Sequence, residues 1–346
     1  MDRPIAITIG DPAGIGPEII AKAFRDAPEL TKGCFVAGDV GTMRRASQFL
    51  ASVGQIGLPV ALLHSPSQAP DMPPCCIPVI QVDPPVLPIA LGRTSAAAGA
   101  MAARCVLWAA NAALRGDVAA LVTAPLNKEA LGAAGLPHSA FPGHTEMLQA
   151  VAAAYLGKAP HDLPVRMMLA NDELRTVLVS IHLSLRAAID AVTFDNVLQT
   201  LRITHSAVGA SLGRAPCIAV AGLNPHAGEG GLFGDEEQTI IAPAIAAARA
   251  QGLTVHGPLA PDTVFMRARH TADKPGEFDV VVAMYHDQGL IPVKYLGVEQ
   301  GVNVTLGLPL VRTSPDHGTA FDIAGTGRAD ASSLLAAIRM ARLLAA

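Results

Sequence analysis

A short apolar run that ends abruptly in polar residues is the feature that most restricts the fold of this chain. Residues 279–285 read Asp-Val-Val-Val-Ala-Met-Tyr, and His286, Asp287, Gln288 and Gly289 follow at once. Such a run, bounded by turn residues, is typical of a buried strand in a parallel sheet. In open α/β sheets, ligands bind just beyond the carboxyl ends of these strands. The sequence therefore predicts an α/β fold with functional side chains after this strand.

Three histidines follow three such predicted strands. His182 follows residues 176–181, His226 comes shortly after residues 217–222, and His286 follows residues 279–285. Because parallel strands bring their carboxyl ends to one edge of a sheet, we expect the three imidazoles to lie close together. Neutral imidazoles suit Zn²⁺ and similar ions, and three protein ligands leave positions open for a substrate. The alternative, that each histidine is a core or capping residue, stays open.

Composition excludes several classes of protein. The 346 residues are 51% hydrophobic and 16% charged, with a net charge of −4, so a nucleic-acid or anionic-membrane partner is not expected. The five cysteines form no C-x-x-C pair, which argues against a disulfide framework and a cysteine metal site. The chain starts with a strand pattern rather than a signal segment, and no apolar run reaches about 18 residues. We therefore expect a reduced, cytoplasmic protein.

The first strand, residues 4–9, leads into a glycine-rich turn and a helix that starts at Pro17. A strand, glycine loop and helix in this order can bind phosphate groups. However, the glycines at 10, 14 and 16 do not match G-x-G-x-x-G, and no Lys-Ser/Thr pair follows. A tight backbone turn and a loop that faces a ligand remain equal alternatives.

Other stretches supply weaker candidates. Residues 57–88 are rich in proline and predict edge strands and loops, because proline is confined to edges and strand ends. Residues 94–115 predict a long alanine-rich helix. His144 and Thr145 stand at the start of another predicted helix, where either side chain could simply cap it. Asp262 lies in a loop and is either functional or a helix cap.

Several long and unusual motifs extend over nearly the whole chain. They comprise residues 10–18, 123–128, 142–146, 224–228, 261–265, 285–289, 301–309, 312–313 and 316–319. Their combination closely resembles the family of 4-hydroxythreonine-4-phosphate dehydrogenases of pyridoxal phosphate biosynthesis.

The resemblance implies a fold and an assembly. The family fold is similar to that of isocitrate and isopropylmalate dehydrogenases: two α/β/α domains with a cleft between them, in a homodimer whose active site draws on both subunits. We expect the first domain to comprise residues 1–125 and 300–346. The second should comprise residues 126–299 and carry the metal ligands. Enzymes of this fold bind NAD without the Rossmann fingerprint, which the sequence also lacks.

The resemblance also assigns roles to residues. The metal ligands are His182, His226 and His286, and zinc is the first choice, with Mg²⁺ or Co²⁺ as alternatives. Lys294, Asp262 and Asp287 are the candidate acid/base residues, although Asp287 could equally orient a neighbouring histidine. We expect NAD, or NADP, near the loops that contain Gly228, Asp235, Asp316 and Thr319. The substrate-binding residues are His144, Thr145, Lys294, Asn303 and Arg312.

The implied reaction is the NAD-dependent oxidation and decarboxylation of 4-phosphohydroxy-L-threonine to 3-amino-2-oxopropyl phosphate. Close relatives share the motifs but oxidise D-threonate or D-erythronate 4-phosphate to dihydroxyacetone phosphate, and this alternative stays open. Two hypotheses come from other classes of protein. One is a metal-dependent aldolase or hydrolase that uses the same histidines, and the other is a phosphosugar-binding protein without catalytic activity.

Overall fold

The computed structural model describes residues 3–84 and 89–345, which form a mixed α/β protein. The predicted α/β class is therefore confirmed. The chain divides into two compact units: Met1–Pro164 with Leu308–Ala346, called unit 1 here, and Val165–Gly307, called unit 2. These bounds differ from those expected from the sequence, because residues 126–164 and 300–307 fall on the other side of the division.

The described strands are short, and most of their residues are buried. In chain order they are β1 (Ile5–Thr8), β2 (Cys34–Gly38), β3 (Val60–Leu63), β4 (Ile77–Gln81), β5 (Ala120–Thr123), β6 (Arg166–Ala170), β7 (Arg175–Leu178), β8 (Ile218–Ala221), β9 (Val255–Leu259), β10 (Val280–Ala283), β11 (Val302–Leu306) and β12 (Val311–Pro315).

Helices follow most of the strands, as expected of an α/β protein. They are α1 (Gly16–Asp26), α2 (Pro28–Thr31), α3 (Val40–Ser52), α4 (Ala96–Leu114), α5 (Lys128–Ala133), α6 (His144–Tyr155), α7 (Leu185–Asp190), α8 (Phe194–Leu212), α9 (Ala242–Ala250), α10 (Val264–Ala268), α11 (His286–Tyr295) and α12 (Ser332–Ala345). A π-helical turn, Glu237–Ile241, precedes α9.

The strands of unit 1 lie in the order β3-β4-β2-β1-β5-β12, and the neighbouring pairs are parallel. Residues 57–88 were predicted to form edge strands, and β3 is one. Strand β4 is not, since it lies between β3 and β2 although it contains Pro78. The register with β2 begins only at Val79, so the proline, which lacks an N–H, lies outside that ladder. Residues 85–88 lie outside the described part of the chain.

The strands of unit 2 lie in the order β11-β6-β7-β10-β8-β9. Strands β7, β10, β8 and β9 are parallel neighbours, whereas β6 runs antiparallel to both β7 and β11. The sequence pattern revealed β7, β8 and β10 of this unit but not β6, β9 or β11, and it also missed β12 of unit 1. Strand β9 is interrupted by Gly257 and Pro258, and β12 is polar, with Arg312, Thr313 and Ser314.

Helix α4 is the centre of the unit 1 core on one face of the sheet. Its buried side chains, such as Val106 and Ala109, share a cluster with Phe35 and Leu121 of the sheet. Met147 of α6 joins the same cluster, which explains why residues 126–164 belong to unit 1. Contrary to expectation, α4 is long and apolar enough to cross a membrane by length and composition alone. It is the one such helix in the described ranges, and over half of it is buried inside the protein.

The contact between α4 and α5 depends on Gly99, because a Cβ there would overlap the backbone of Ala130 and Leu131. We expect Gly99→Ala to lower the free energy of unfolding by about 1–3 kcal/mol, since two helix backbones must move apart. Gly132→Ala is the matched control, because a Cβ at Gly132 meets no described atom within 4 Å. It should leave stability unchanged or raise it by about 0.5–1 kcal/mol. Urea unfolding measures both, and equal stabilities would contradict this packing role.

Candidate functional site

Arg312 is the most deeply buried cation among the predicted substrate residues. It lies on β12 and is only 4% exposed, and its Nε and Nη2 atoms donate hydrogen bonds of 3.1 and 2.7 Å to the Thr123 hydroxyl at the end of β5. Burial lowers its pKa to about 10, and the charge of Glu146 opposes that shift. The guanidinium therefore stays charged at neutral pH, and a buried cation of this kind attracts a carboxylate or phosphate.

His144 lies close to this cation, at the first position of α6. Its Nε2 atom is buried and has no hydrogen-bond partner among the described residues. Burial lowers the pKa of His144 well below its usual value, and the positive charges of Arg312 and Lys128 lower it further. The imidazole is therefore neutral at physiological pH. A buried, neutral ring nitrogen without a partner is a group prepared for a ligand. The capping alternative is not supported, since the N-cap is Gly143 and no side chain caps the helix.

The glycine-rich turn at residues 10–16 is closely packed by its own neighbours. A Cβ at Gly16 would overlap the carbonyl of Ile9, and one at Gly14 would lie 2.8 Å from the carbonyl oxygen of Thr319. The Ile15 amide donates to that same oxygen at 3.0 Å. Asp11 accepts a 2.8 Å hydrogen bond from the Ala13 amide, and burial raises the pKa of its carboxyl group. These contacts explain the glycines as requirements of a tight turn.

In unit 2, the three strands that precede the histidines are parallel neighbours in the order β7-β10-β8, so their carboxyl ends lie at one edge. His182 follows β7 and His286 begins α11, and their ring centres are 5.6 Å apart. Two imidazoles bound to one tetrahedral ion through Zn–N bonds of about 2.0–2.1 Å would have ring centres roughly 5 Å apart. This pair therefore fits two ligands of a single divalent ion.

Asp287 completes the surroundings of this pair. Its Oδ1 atom lies 2.7 Å from Nδ1 of His286, an arrangement that leaves Nε2 of the imidazole for a metal. The side chain of Asp287 is largely exposed, and that of His286 is partly so. Of the two roles open for Asp287, the geometry favours orientation of the histidine.

His226 is not part of the pair. Among the residues that the structure describes, no group of three His, Cys, Asp or Glu side chains is arranged to hold a metal ion. His226 contacts Phe233 instead, with ring centres 6.1 Å apart. The three-histidine site therefore stays a prediction, of which this chain brings two rings together.

The loop that carries His226 has an unusual backbone. His226, Ala227 and Glu229 have φ values of 53°, 54° and 41°, in the left-handed region that costs a non-glycine residue roughly 1–2 kcal/mol. The buried carboxylate of Glu237 stabilises the loop. Its Oε1 accepts from the Leu223 and Asn224 amides, both at 2.7 Å. Strain of this kind is concentrated at functional loops.

The four residues predicted to bind the cofactor are divided between the units. Gly228 and Asp235 belong to the His226 loop of unit 2, where Gly228 is buried with φ 79° and Asp235 is exposed. Asp316 and Thr319 belong to unit 1, in the segment after β12. The Asp316 amide donates to the Ser333 hydroxyl at 3.2 Å, and Thr319 packs on the glycine-rich turn.

The remaining predicted residues also belong to both units. Lys294 is half-buried on α11, eight residues and therefore about 12 Å along the helix from His286. Asn303 is half-buried on β11, and Thr145 follows His144 on α6 in unit 1. Asp262 is exposed, and the N-cap of the helix beside it is Thr263.

Sequence reasoning did not single out Thr123 or Glu237, although both hold parts of the candidate site in place. Thr123 stood within a matched motif, and its position at the end of a predicted strand was the available signal. Glu237 had no comparable signal in the sequence. Its contacts with Leu223 and Asn224 join residues more than a dozen positions apart, so nothing in the local pattern indicates them.

The lowered pKa of His144 predicts a pH effect on stability. The unfolded histidine titrates near 6.5 and the folded one at lower pH, so below about pH 6.5 the unfolded state binds more protons. Acidification from pH 7 to 5 should therefore destabilise the protein, by up to about 1.4 kcal/mol per pH unit from this group. His144→Asn should reduce that loss, whereas His256→Asn, at an exposed site, should not. Urea unfolding at both pH values is the measurement, and identical pH dependence in all three proteins would contradict the assignment.

Comparisons with known proteins identify the family to which this chain belongs. Residues 31–341 match the family described as "Pyridoxal phosphate biosynthetic protein PdxA". A 4-hydroxythreonine-4-phosphate dehydrogenase of Beijerinckia indica is 51% identical over 334 residues, covering 96% of this chain and 93% of the relative. A D-threonate 4-phosphate dehydrogenase of Salmonella typhimurium is 45% identical over 350 residues, covering 99% of each chain.

A crystal structure of a 4-hydroxythreonine-4-phosphate dehydrogenase from Klebsiella pneumoniae is similar along its entire length. It is 42% identical, covers 100% of both chains and superimposes with a TM-score of 0.85. The resemblance inferred from the motifs is thereby confirmed. The chain belongs to the PdxA family of pyridoxal phosphate biosynthetic proteins, a family of dehydrogenases, and is an oxidoreductase.

Proposed function

We propose that this protein oxidises 4-phosphohydroxy-L-threonine with NAD⁺, in a reaction that ends with decarboxylation to 3-amino-2-oxopropyl phosphate. The 51% identity with a 4-hydroxythreonine-4-phosphate dehydrogenase, over nearly the full length of both chains, is the observation that carries the proposal. The residues expected to bind the substrate are present, and Arg312 and His144 have surroundings that suit an anionic ligand.

A second candidate substrate is D-threonate 4-phosphate, or its relative D-erythronate 4-phosphate. The 45% identity with the Salmonella typhimurium enzyme, over 99% of each chain, supports it. The candidate substrates share a phosphate, a carboxylate and neighbouring hydroxyl or amino groups. Arg312 would bind one anionic group of either, and its planar guanidinium suits two parallel hydrogen bonds. Lys294 is the proposed partner of the other anionic group.

The metal ion of the reaction is proposed from the three histidines that follow the strands of unit 2. His182, His286 and His226 would hold a divalent ion, with zinc preferred because the donors are neutral imidazoles. Bound there, such an ion supplies Lewis-acid stabilisation of the negative charge that develops on the substrate oxygen. Asp287 keeps the His286 ring in the orientation that exposes Nε2.

Oxidation of a secondary alcohol releases a hydride, which NAD⁺ accepts, and a proton, which the protein must accept. Lys294 and Asp262 are the proposed alternative proton acceptors: Lys294 is half-buried but can accept a proton only as the neutral amine, a state that excludes its pairing with an anionic group, whereas Asp262 is exposed and accepts as a carboxylate. The loops of Gly228 and Asp235 in unit 2 and of Asp316 and Thr319 in unit 1 are the proposed contacts of NAD⁺ or NADP⁺.

We further propose a reduced, cytoplasmic enzyme, since all five cysteines are free.

A homodimer explains the surface around the histidines. Large apolar side chains are exposed beside them in unit 2: Leu183 and Leu185 follow His182, and Leu232, at 73% exposure, follows His226. Ile291 and Tyr295, the latter 90% exposed, belong to the helix that begins at His286. Exposed apolar residues concentrated in this way are typical of interaction sites. A second copy of the chain would cover them and contribute its own His226 to the His182–His286 pair.

The direct test of the reaction is an assay of NAD⁺ reduction with three substrates side by side. We expect NADH formation with zinc-loaded enzyme and 4-phosphohydroxy-L-threonine, at a kcat/KM at least tenfold above those for D-threonate and D-erythronate 4-phosphate. The reverse order would establish the alternative substrate. Absence of NADH with each substrate, together with cleavage or dephosphorylation of any of them, would instead support the aldolase or hydrolase hypothesis.

Subunit mixing tests the shared metal site. His182→Ala, His226→Ala and His286→Ala should each fold, contain less than stoichiometric zinc and lose nearly all turnover. If His226 comes from the partner, mixing His226→Ala with His182→Ala should restore roughly a quarter of wild-type activity. Half of the dimers are then hybrids, and each hybrid has one intact site of two.

The mixture of His182→Ala with His286→Ala is the matched control and should restore no activity. Those two rings lie 5.6 Å apart in one chain, so every site of such a hybrid lacks one of them. Recovery in the control, or none in the first mixture after verified subunit exchange, would contradict this division of the ligands.

A further inference from the structure

The His226 loop, residues 222–234, folds around one buried carboxylate, that of Glu237. This residue is only 2% exposed. Its Oε1 atom accepts hydrogen bonds of 2.7 Å from the Leu223 and Asn224 amides, and its Oε2 atom accepts one of 3.0 Å from Nδ2 of Asn224. Hydrogen bonds to an ionised acceptor are stronger than those between neutral groups. The carboxylate therefore fixes the chain directly before His226.

Two glycines of the loop close on the same carboxylate. A Cβ at Gly222 would lie 3.0 Å from Oε1 of Glu237, and a Cβ at Gly228 would lie 2.7 Å from its Oε2. The backbone thus contacts both oxygens, and at Gly228 only a residue without a side chain permits the approach. His226 lies between these glycines in the chain. Its position is therefore bounded on both sides by contacts with Glu237.

The backbone between the two contacts is left-handed over several successive residues. Residues 226–230 have φ values between 41° and 79°, and His226, Ala227 and Glu229 among them carry a Cβ. The left-handed conformation is unfavourable for such residues and normally occurs at single positions. It persists only where the surrounding structure imposes it. The hydrogen bonds of Glu237 are the described contacts that supply this constraint.

A π-helical turn determines how Glu237 faces the loop. The turn comprises Glu237–Ile241 and leads directly into α9. A π-helical turn contains one residue more than the α-helical turn it replaces, and such insertions are frequent at functional sites. One added residue rotates the preceding side chains by about 100° around the helix axis. Glu237 is thereby directed at the loop by a distortion confined to the start of the helix.

The neighbouring carboxylate, that of Glu236, has a lesser share in the loop. Its Oε2 atom accepts a 2.6 Å hydrogen bond from Nδ2 of Asn224, the same group that donates to Glu237. Among the described residues, no backbone amide of the loop donates to Glu236, and its side chain is only half-buried. Glu236 therefore provides a comparison of equal charge and nearly equal position.

We propose that Glu237 is a positioning residue that holds the His226 imidazole ready to bind the divalent ion. It does not touch the ion, and it acts by ordering the loop before the ion arrives. The inference rests on the proposed function for the role of His226 as a ligand. Loss of a group that orients a metal ligand typically lowers metal affinity about 10–100-fold. Because His226 itself remains, an excess of the ion should refill the site.

Glu237→Gln tests this role in the protein without turnover. Glutamine keeps the size of the side chain, but its NH₂ group must face either the two amides or Nδ2 of Asn224, all of which are donors. Glu236→Gln is the matched control. The measurement is a titration of metal-free protein with Co²⁺, followed by the visible absorption of the bound ion. We expect Glu236→Gln to bind as wild type does and Glu237→Gln at least about tenfold more weakly, which corresponds to about 1.4 kcal/mol.

A second pair of variants reaches the same contact from the loop and leaves the carboxylate in place. Gly228 and Gly230 both have a left-handed backbone, with φ values of 79° and 68°, so alanine strains each in the same way. Only at Gly228 does the new Cβ meet Glu237, since one at Gly230 meets no described atom within 4 Å. Gly228→Ala should weaken Co²⁺ binding about tenfold more than Gly230→Ala.

Two further readouts separate positioning from a general loss of stability. In metal-free Glu237→Gln, hydrogen exchange should become faster at the Leu223 and Asn224 amides and stay unchanged in the strands of unit 1. At saturating zinc, Glu237→Gln should regain kcat to within about twofold of wild type, because the ligand itself is intact. His226→Ala should not regain it at any zinc concentration.

The outcomes distinguish this inference from the proposed function. Wild-type Co²⁺ affinity in both Glu237→Gln and Gly228→Ala, together with weak binding by His226→Ala, would overturn the positioning role and leave the metal site supported. Wild-type affinity in His226→Ala would instead overturn the assignment of His226 as a ligand in the proposed function. The role of Glu237 would then be overturned with it.

Discussion

The alignment of parallel strands is the constraint on which the rest of this structure depends. In unit 2, strands β7, β10 and β8 are neighbours that run in the same direction, so the segments after them all start at one edge of the sheet. His182 and His286 come together there although more than a hundred residues separate them in the chain. In unit 1 the parallel pairing of β12 with β5 brings Arg312 to Thr123 in the same way.

The two units hold their candidate functional groups in contrasting environments. In unit 1, Arg312 and Nε2 of His144 are buried, and burial shifts the pKa of both groups downward. The consequence is a charged guanidinium beside a neutral imidazole, a pair that can bind an anion without a change of protonation. In unit 2, His182 and His226 are exposed and His286 is partly exposed, beside exposed apolar side chains of the kind that is typical of interaction sites.

Buried carboxylates stabilise the loops that these environments require. Glu237 accepts from the amides of the His226 loop and thereby offsets the left-handed backbone of that segment. Glu18 and Lys22 form a buried ion pair that also binds backbone groups at residues 327 and 329, so helix α1 is fixed to the segment after β12. An ion pair of this kind is stable because hydrogen bonds compensate for the loss of hydration. In each case, the carboxylate links segments that are distant in sequence.

The sequence by itself determined the α/β class, the three strand-end histidines and the family, because these depend on local periodicity and on long motifs. Strands β6, β9, β11 and β12 escaped prediction. In β9 and β12, glycine, proline and polar residues break the apolar pattern, and tertiary neighbours supply the pairing. Only the tertiary structure decided that His182 and His286 meet in one chain while His226 does not join them. It also decided that the glycine-rich turn packs on Thr319, and that Glu18 and Glu237 hold distant loops. Such contacts arise from packing between segments far apart in the chain, and no local pattern of residues encodes them.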